Sequence, residues 1–428
     1  MTYAEMTREQ LEQEQTRLNA AFAEVKARNL TLDMSRGKPG KEQLDLVMDM
    51  LDCLDSRSDL TGENGMDYRN YGVLEGAIES RRLFAELMEV PVANVLAMGN
   101  SSLNIMFDVI SHAMTHGVLG ETPWMKQEQV RFLCPVPGYD RHFGILQHFG
   151  IEMINVAMTE DGPDMAAVES LVKTDASIKG IWCVPKYSNP QGYSYSDETV
   201  RRLAALQPAA ADFRLYWDNA YAVHHLYSDD QDQITEILSA CKEAGSPDLV
   251  YEFCSTSKIS FPGAGVAALI SSEANLADLK KAFFYQTIGH DKINQLRHAR
   301  YFKDKAGVAA MMERHAAVIR PKFEAVWTVL EREIAPLGIG QWTKPKGGYF
   351  ISFETMTGCA AAVVAKCKEA GMVLTGAGAP FPYGKDPQDS NIRIAPTFPS
   401  VPEMEQAAEL FALCVKLVSV EKLLQTQA

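Results

Sequence analysis

Between about residues 60 and 301 the chain alternates short apolar runs with longer stretches of helical periodicity. The runs cover 95–98, 130–134, 151–156, 181–184, 213–217, 249–253 and 266–270. A strand joins a parallel neighbour only through a long crossover, and a strand that is apolar throughout must be covered on both faces. Seven such runs separated by helices therefore predict an α/β fold: a mostly parallel seven-stranded sheet with helices on both faces. Ligands on these sheets bind beyond the carboxyl ends of the strands. The residues that follow the runs are the polar and reactive ones: Gly99-Asn100-Ser101-Ser102, Tyr139, Asn189, Asp218 and Lys258.

The flanks read differently. Thr7-Arg8-Glu9-Gln10 has the form of a capping box, and Leu11, Leu18, Phe22 and Val25 recur at helical spacing as far as Asn29. After Tyr301 a helical stretch over 306–337 leads to strand patterns at 348–353 and 391–394, then to a helix from Pro402. The expected organisation is an N-terminal helix and arm (1–59) contributing to a smaller α+β domain, a large domain (60–301) and the rest of the small domain (302–428).

With 428 residues, 46% of them hydrophobic, the chain can bury a large core, while its net charge of −14 argues against a nucleic-acid backbone as partner. Eight cysteines without a CxxC pair read as reduced, buried thiols rather than as a disulfide framework or zinc site. His224-His225 lacks carboxylates at metal spacing and reads as structural, so no metal is expected. No basic leader and no run of about 18 apolar residues occurs, which predicts a cytoplasmic protein that does not enter a membrane.

Several residues invite a chemical reading beside a plain one. Ser101-Ser102 open an apolar helix after a strand and a glycine, an arrangement that suits a phosphate or simply caps the helix. Gly263-x-Gly265 precedes a strand rather than a helix and is no dinucleotide fingerprint. Asp218 is a strand-end acid, Tyr221 follows three residues later, and Asn189 stands before Pro190, each of which also fits a loop, core or turn role. Lys258, in Ser255-Thr256-Ser257-Lys258, lies about 40 residues after Asp218. Arg393 sits in an otherwise apolar strand, where a charge is costly unless it meets an anion.

In this order and at these separations, the set resembles the fold-type I pyridoxal phosphate aminotransferases (class I/II), in particular the divergent bacterial branch of aspartate aminotransferases. The similarity runs from about Leu32 to Pro399, and Ser35-Arg36-Gly37-Lys38-Pro39 matches an N-terminal motif of that branch. The resemblance implies that pyridoxal 5'-phosphate is the cofactor. Lys258 would carry it and serve as general base and acid, Asp218 would face the pyridine N–H, and Asn189 and Tyr221 would hydrogen-bond the phenolic oxygen. Tyr139 would stack on the ring, and Ser101, Ser102, Ser255 and Ser257 would hold the phosphate. Tyr71 would reach the phosphate of a neighbouring subunit, which implies a homodimer with shared sites. Arg393, helped by the backbone at Gly37, would take the substrate α-carboxylate.

One departure stands out. Relatives carry an arginine for the phosphate seven or eight residues after the lysine, and here those positions are Gly265 and Val266. For a second substrate carboxylate the candidates are Arg36, Lys38, Arg141 and Lys292, with Arg36 and Arg141 preferred because arginine binds carboxylates bidentately. The resemblance implies transfer of the amino group of L-aspartate to 2-oxoglutarate by a ping-pong mechanism. Alternatives are an aromatic or alanine aminotransferase, a pyridoxal phosphate-dependent Cβ lyase and, more remotely, a ligand-sensing regulator.

Overall fold

In the computed structural model, which describes residues 1–427, each apolar run becomes a strand of one sheet. The strands of the whole chain are β1 (Leu32–Asp33), β2 (Val95–Ala97), β3 (Arg131–Val136), β4 (Glu152–Thr159), β5 (Gly162–Pro163), β6 (Ile178–Cys183), β7 (Arg214–Asp218), β8 (Val250–Ser255), β9 (Ala267–Ser271), β10 (Gly340–Trp342), β11 (Ile351–Thr355), β12 (Met372–Val373) and β13 (Asn391–Ile394). The large sheet runs β2-β9-β8-β7-β6-β3-β4-β5. It has one strand more than expected. The addition, β5, is a two-residue edge strand that turns back antiparallel on β4, too short to leave an apolar run in the sequence.

Strands β4, β3, β6, β7 and β8 are parallel to one another, and β9 runs antiparallel to both β8 and β2. The reversal has a local cause. Only residues 256–266 join β8 to β9, too few for a helical crossover, so the chain folds straight back. Lys258 lies in that return, at the carboxyl end of β8.

The flanks meet in a second layer. Strands β10, β11 and β13 form an antiparallel sheet, and β1 pairs in parallel with β12, tying the N-terminal arm to the C-terminal part. Helix Arg8–Ala27 starts at Thr7 with the expected reciprocal cap: the Gln10 amide N–H donates to Thr7 Oγ1 at 3.3 Å, and the Thr7 N–H donates to Gln10 Oε1 at 2.8 Å. Its apolar face, Leu11, Leu18 and Phe22, joins a core shared with helix Val401–Thr426 and with β11 and β13. Helix Lys305–Glu333 bridges the two layers. Val308, Met311 and Met312 pack into the core beneath the large sheet, whereas Ile319 to Leu330 pack into the core of the flanking layer.

All cysteines are free and, apart from the half-buried Cys53, buried. Among the described residues there is no cluster of His, Cys, Asp and Glu fit for a metal, and no helix is long and apolar enough to cross a membrane.

Candidate active site

Three strand ends bring the central groups together. Asp218 closes β7, Lys258 follows β8, and His142 comes from helix Asp140–His148, which starts where β3 ends. The imidazole Nε2–H of His142 donates to Asp218 Oδ2 at 2.9 Å, since an ionised carboxylate can only accept. The other face of the ring is held by Trp182, stacked at 4.2 Å with an interplanar angle of 8°. Asp218 is 4% exposed, yet its Oδ1 has no partner. A buried carboxylate oxygen left bare is costly, and it is the partner that a protonated pyridine nitrogen requires.

The Lys258 amine lies 5.0 Å over the Tyr221 ring and 5.9 Å from the centre of the Tyr349 ring. Burial lowers its pKa below the ordinary lysine range, and the charge of Asp218 opposes that shift. The outcome favours an amine that gives up its proton readily, as a nucleophile or base must. Burial, with the nearby Tyr139 and Asp218, raises the Tyr221 hydroxyl well above its usual value, so Tyr221 keeps its proton and can donate it in a hydrogen bond. Tyr139 meets His142 edge-on at 4.9 Å. Its hydroxyl is pushed up to about 12, chiefly by burial and then by Asp218 and Asp140.

Arg393 enters from β13 and is 6% exposed. Its Nη1 donates to Asp140 Oδ1 at 2.8 Å and to Asn189 Oδ1 at 3.2 Å, its Nη2 donates to Thr375 Oγ1 at 3.4 Å, and its Nε has no partner. The anion that the sequence called for is thus met in part by Asp140. The guanidinium stacks 4.9 Å over Phe350, and a Cβ at Gly37 would lie 2.4 Å from that same ring. Glycine is what lets the arm residues 35–39 approach Arg393.

The serines converge as well. Ser255 Oγ donates to Ser257 Oγ at 3.0 Å, and Ser257 Oγ donates to the Asn100 carbonyl at 3.3 Å, just ahead of helix Ser102–His116. Ser101 is the N-cap of that helix but makes no side-chain cap bond, which leaves its hydroxyl and the first-turn N–H groups available to an anion. At the two positions that lack the family arginine, Gly265 packs against Thr256, Phe261 and Asn100, and Val266 is buried in the sheet.

Other expected residues lie at the edge of this cluster or beyond it. Arg36 is exposed on the arm beside Gly37, and Lys38 sits over the Phe398 ring at 3.9 Å. Arg141 is exposed in a surface groove with Asn104, Phe107 and His148. Tyr71 is 77% exposed. Lys292 is buried near it, in that a Cβ at Gly289 would lie 2.2 Å from the Gly72 carbonyl and 3.4 Å from Lys292 Nζ.

Sequence reasoning missed His142, Asp140 and Thr375. His142 had a signal: it stands three residues after Tyr139, on the same face of the helix that Tyr139 caps. Asp140 and Thr375 had none, since only the tertiary fold brings them to Arg393. His224, read as structural, is fully buried against the rings of Tyr221 and Tyr349.

A reactive lysine and a buried carboxylate at the ends of a largely parallel sheet, roofed by a second α+β layer, are the marks of the fold-type I pyridoxal phosphate-dependent transaminases. The aspartate amino-transferase family pattern matches residues 6–427, and the chain belongs to that family. It is 47% identical over 401 residues to an aspartate aminotransferase of Corynebacterium glutamicum, a match that covers 94% of this chain and 92% of that protein. A solved aspartate transaminase from Corynebacterium glutamicum superimposes with a TM-score of 0.96 at 45% identity, over 99% of both chains. The Thermus thermophilus α-aminoadipate aminotransferase, solved with N-(5'-phosphopyridoxyl)-L-leucine, shares the fold at 21% identity with a TM-score of 0.74, over 92% of this chain and 93% of that one.

Proposed function

We propose that this transaminase takes pyridoxal 5'-phosphate as its cofactor and moves the amino group of L-aspartate to 2-oxoglutarate, giving oxaloacetate and L-glutamate. The observation that carries the cofactor is the bare, buried Oδ1 of Asp218, whose Oδ2 is already engaged by His142. When bound, the cofactor supplies an electron sink for charge released at the substrate Cα.

The chain's own groups have separate tasks in this reading. Lys258 moves the proton at Cα, aided by the burial that lowers its pKa. Asp218, oriented by His142, holds a positive charge on the pyridine nitrogen. Asn189 and Tyr221 donate to the phenolic oxygen, Tyr139 covers the ring, and Ser101, Ser102, Ser255 and Ser257 with the helix N-terminus bind the phosphate. Arg393 takes the α-carboxylate beside the Gly37 backbone, its unused Nε and its link to Asn189 placing substrate and cofactor groups on one scaffold. Arg36 and Arg141 are the candidates for the second carboxylate: Arg36 adjoins Gly37, which packs against Phe350, and Arg141 adjoins Asp140, which bonds Arg393. Residues 1–59 and 302–428 would form the small domain and close over 60–301 to exclude water.

A homodimer completes this reading. The exposed Tyr71, Phe284, Tyr285 and Ile288, with the Gly72 and Gly289 loops in contact, offer an apolar face for a second copy. The test is the visible absorbance of the reconstituted protein, titrated with L-aspartate and then with 2-oxoglutarate. Bleaching by aspartate and recovery with the oxo acid is expected. Bleaching only by another amino acid would overturn the substrate, and no visible band at all would overturn the cofactor.

A further inference from the structure

Behind the site, a cavity of about 560 Å³ lies between the ends of β7 and β8 and helix Lys305–Glu333. Successive residues of a strand face opposite ways, so Trp217 and Asn219 look into this cavity while Asp218, between them, looks toward Lys258. Glu252, paired in register with Trp217 on β8, shares that wall. None of Lys258, Asp218, Tyr221 or Arg393 lines it, and its volume is that of a small-molecule site.

The wall is short of donors. Glu252 is 3% exposed, and its Oε1 accepts from Asn219 Nδ2 at 2.9 Å, but its Oε2 has no partner and neither has Asn219 Oδ1. These two buried oxygens, on residues joined through one N–H, have no partner in the protein, which native structures seldom leave so.

None of the cations nearby bonds Glu252 or Asn219. Lys186 Nζ donates to the Ala222 carbonyl at 2.9 Å, Lys305 pairs with Glu89 at 2.5 Å, and Arg320 lies over the Tyr227 ring and donates to the Leu226 carbonyl at 3.4 Å. Glu236 adds negative charge, both of its oxygens accepting N–H groups of helix Ile237–Glu243, and at the exposed rim Glu313 makes no ion pair among the described residues. Met88, Val223, Ile237 and Met312 add apolar surface beside Trp217, while Ser228, Gln231, Gln233 and Thr235 line the polar part of the wall.

We propose that this cavity is a second ligand site, distinct from the transaminase centre, for a small organic cation. An ammonium or amidinium head would donate to Glu252 Oε2 and Asn219 Oδ1, and an apolar body would lie against Trp217 and Met312. Burial and the charge of Glu236 raise the Glu252 carboxyl to about 8, so near pH 7 it holds a proton that an incoming cation would displace. A bound cation would reverse that shift.

The experiment is calorimetric titration of the cofactor-loaded full-length protein with benzamidine and with its neutral isostere benzamide. Saturable binding of benzamidine at about 1 mM or tighter is expected for a probe of this size, with benzamide at least tenfold weaker. Glu252→Gln, which preserves volume, should weaken benzamidine at least tenfold. Ala316→Phe, which fills the cavity from the helix side, should abolish binding. Both variants should keep the transaminase rate of the parent, which shows that they fold and separates this site from the active one. Equal binding of the two probes, no saturable binding of benzamidine, or full affinity in Ala316→Phe would each overturn the proposal.

Discussion

Asp218 Oδ2 accepts the Nε2–H of His142 at 2.9 Å, while Oδ1 of the same buried carboxylate has no partner in the protein. The pair makes Asp218 a preset acceptor: its orientation is fixed by a ring that Trp182 holds flat, and in the proposed function its free oxygen would take the cationic ring nitrogen. His142→Ala should therefore lower kcat by about 10–100-fold, the worth of a hydrogen bond to a charged group. Because His142 acts through Asp218, the loss should come with a shift of the visible band of the loaded enzyme. His142→Gln should restore part of both. A loss of kcat with an unmoved spectrum would argue for a merely structural role.

Lys258→Ala should leave a folded protein whose steady-state activity falls by at least about 10²–10⁴-fold, the scale of a lost general base. Added methylamine, which replaces the missing amine, should recover a measurable fraction. Wild-type activity in the same preparation conditions, or no rescue by any small amine, would count against the assignment.

Removing the Arg393 guanidinium should act on every amino acid substrate alike, because all share the α-carboxylate. Arg393→Ala should raise KM for aspartate and for alanine by about 100-fold or more, in line with a charged hydrogen-bonded pair lost from a buried site. Arg36→Ala and Arg141→Ala should instead raise KM for aspartate far more than for alanine. Equal losses on both substrates in both variants would remove these two arginines from side-chain recognition.

The pH dependence of stability should carry the signature of His315. The Gly40 N–H donates to Gln43 Oε1 at 3.2 Å, so the Gln43 amide N–H is turned toward His315 Nδ1 at 3.2 Å, and His315 Nε2–H donates to the Ile259 carbonyl, next to Lys258, also at 3.2 Å. That network holds the ring neutral, and burial lowers its pKa to about 4. Unfolding restores a value near 6.5, so the unfolded chain binds the extra proton between pH 6.5 and 4. The contribution of the neutral ring is complete above pH 6.5 and is lost as pH falls to about 4, amounting to about 3 kcal/mol. Denaturant unfolding of His315→Gln should show a correspondingly flatter pH profile than the parent over that window. Parallel profiles would contradict it.

Tyr71 is 77% exposed, and the homodimer reading would set it against the partner's phosphate. Tyr71→Phe should weaken cofactor retention, and mixing Tyr71→Phe with Lys258→Ala subunits should regenerate one intact site per mixed dimer. Activity that stays at the level of the separate variants after exchange would exclude shared sites.

Much of this was legible before any tertiary contact was known. The α/β reading followed from apolar runs too short for helices and bounded by helical periods, and strand burial made those runs obligatory. Lys258, Asp218, Asn189 and Arg393 were visible because each follows or interrupts an apolar strand, where a polar residue needs a reason. The two-residue β5 escaped because its pairing depends on β4 rather than on its own side chains.

What the sequence alone determined was the seven longer strands of the large sheet with β11 and β13, the caps and the identity of the groups placed at strand ends, since these depend on local periodicity and on which side chains tolerate burial. Only the tertiary structure decided which of those groups meet. It reversed β9 through a return too short for a crossover, set His142 against Asp218, gave Arg393 the company of Asp140 and Thr375, and turned Glu252 and Asn219 toward a cavity. Such pairings join residues up to about 250 positions apart, and no local preference encodes them: they exist because burying the strands on both faces leaves one way to stack the layers.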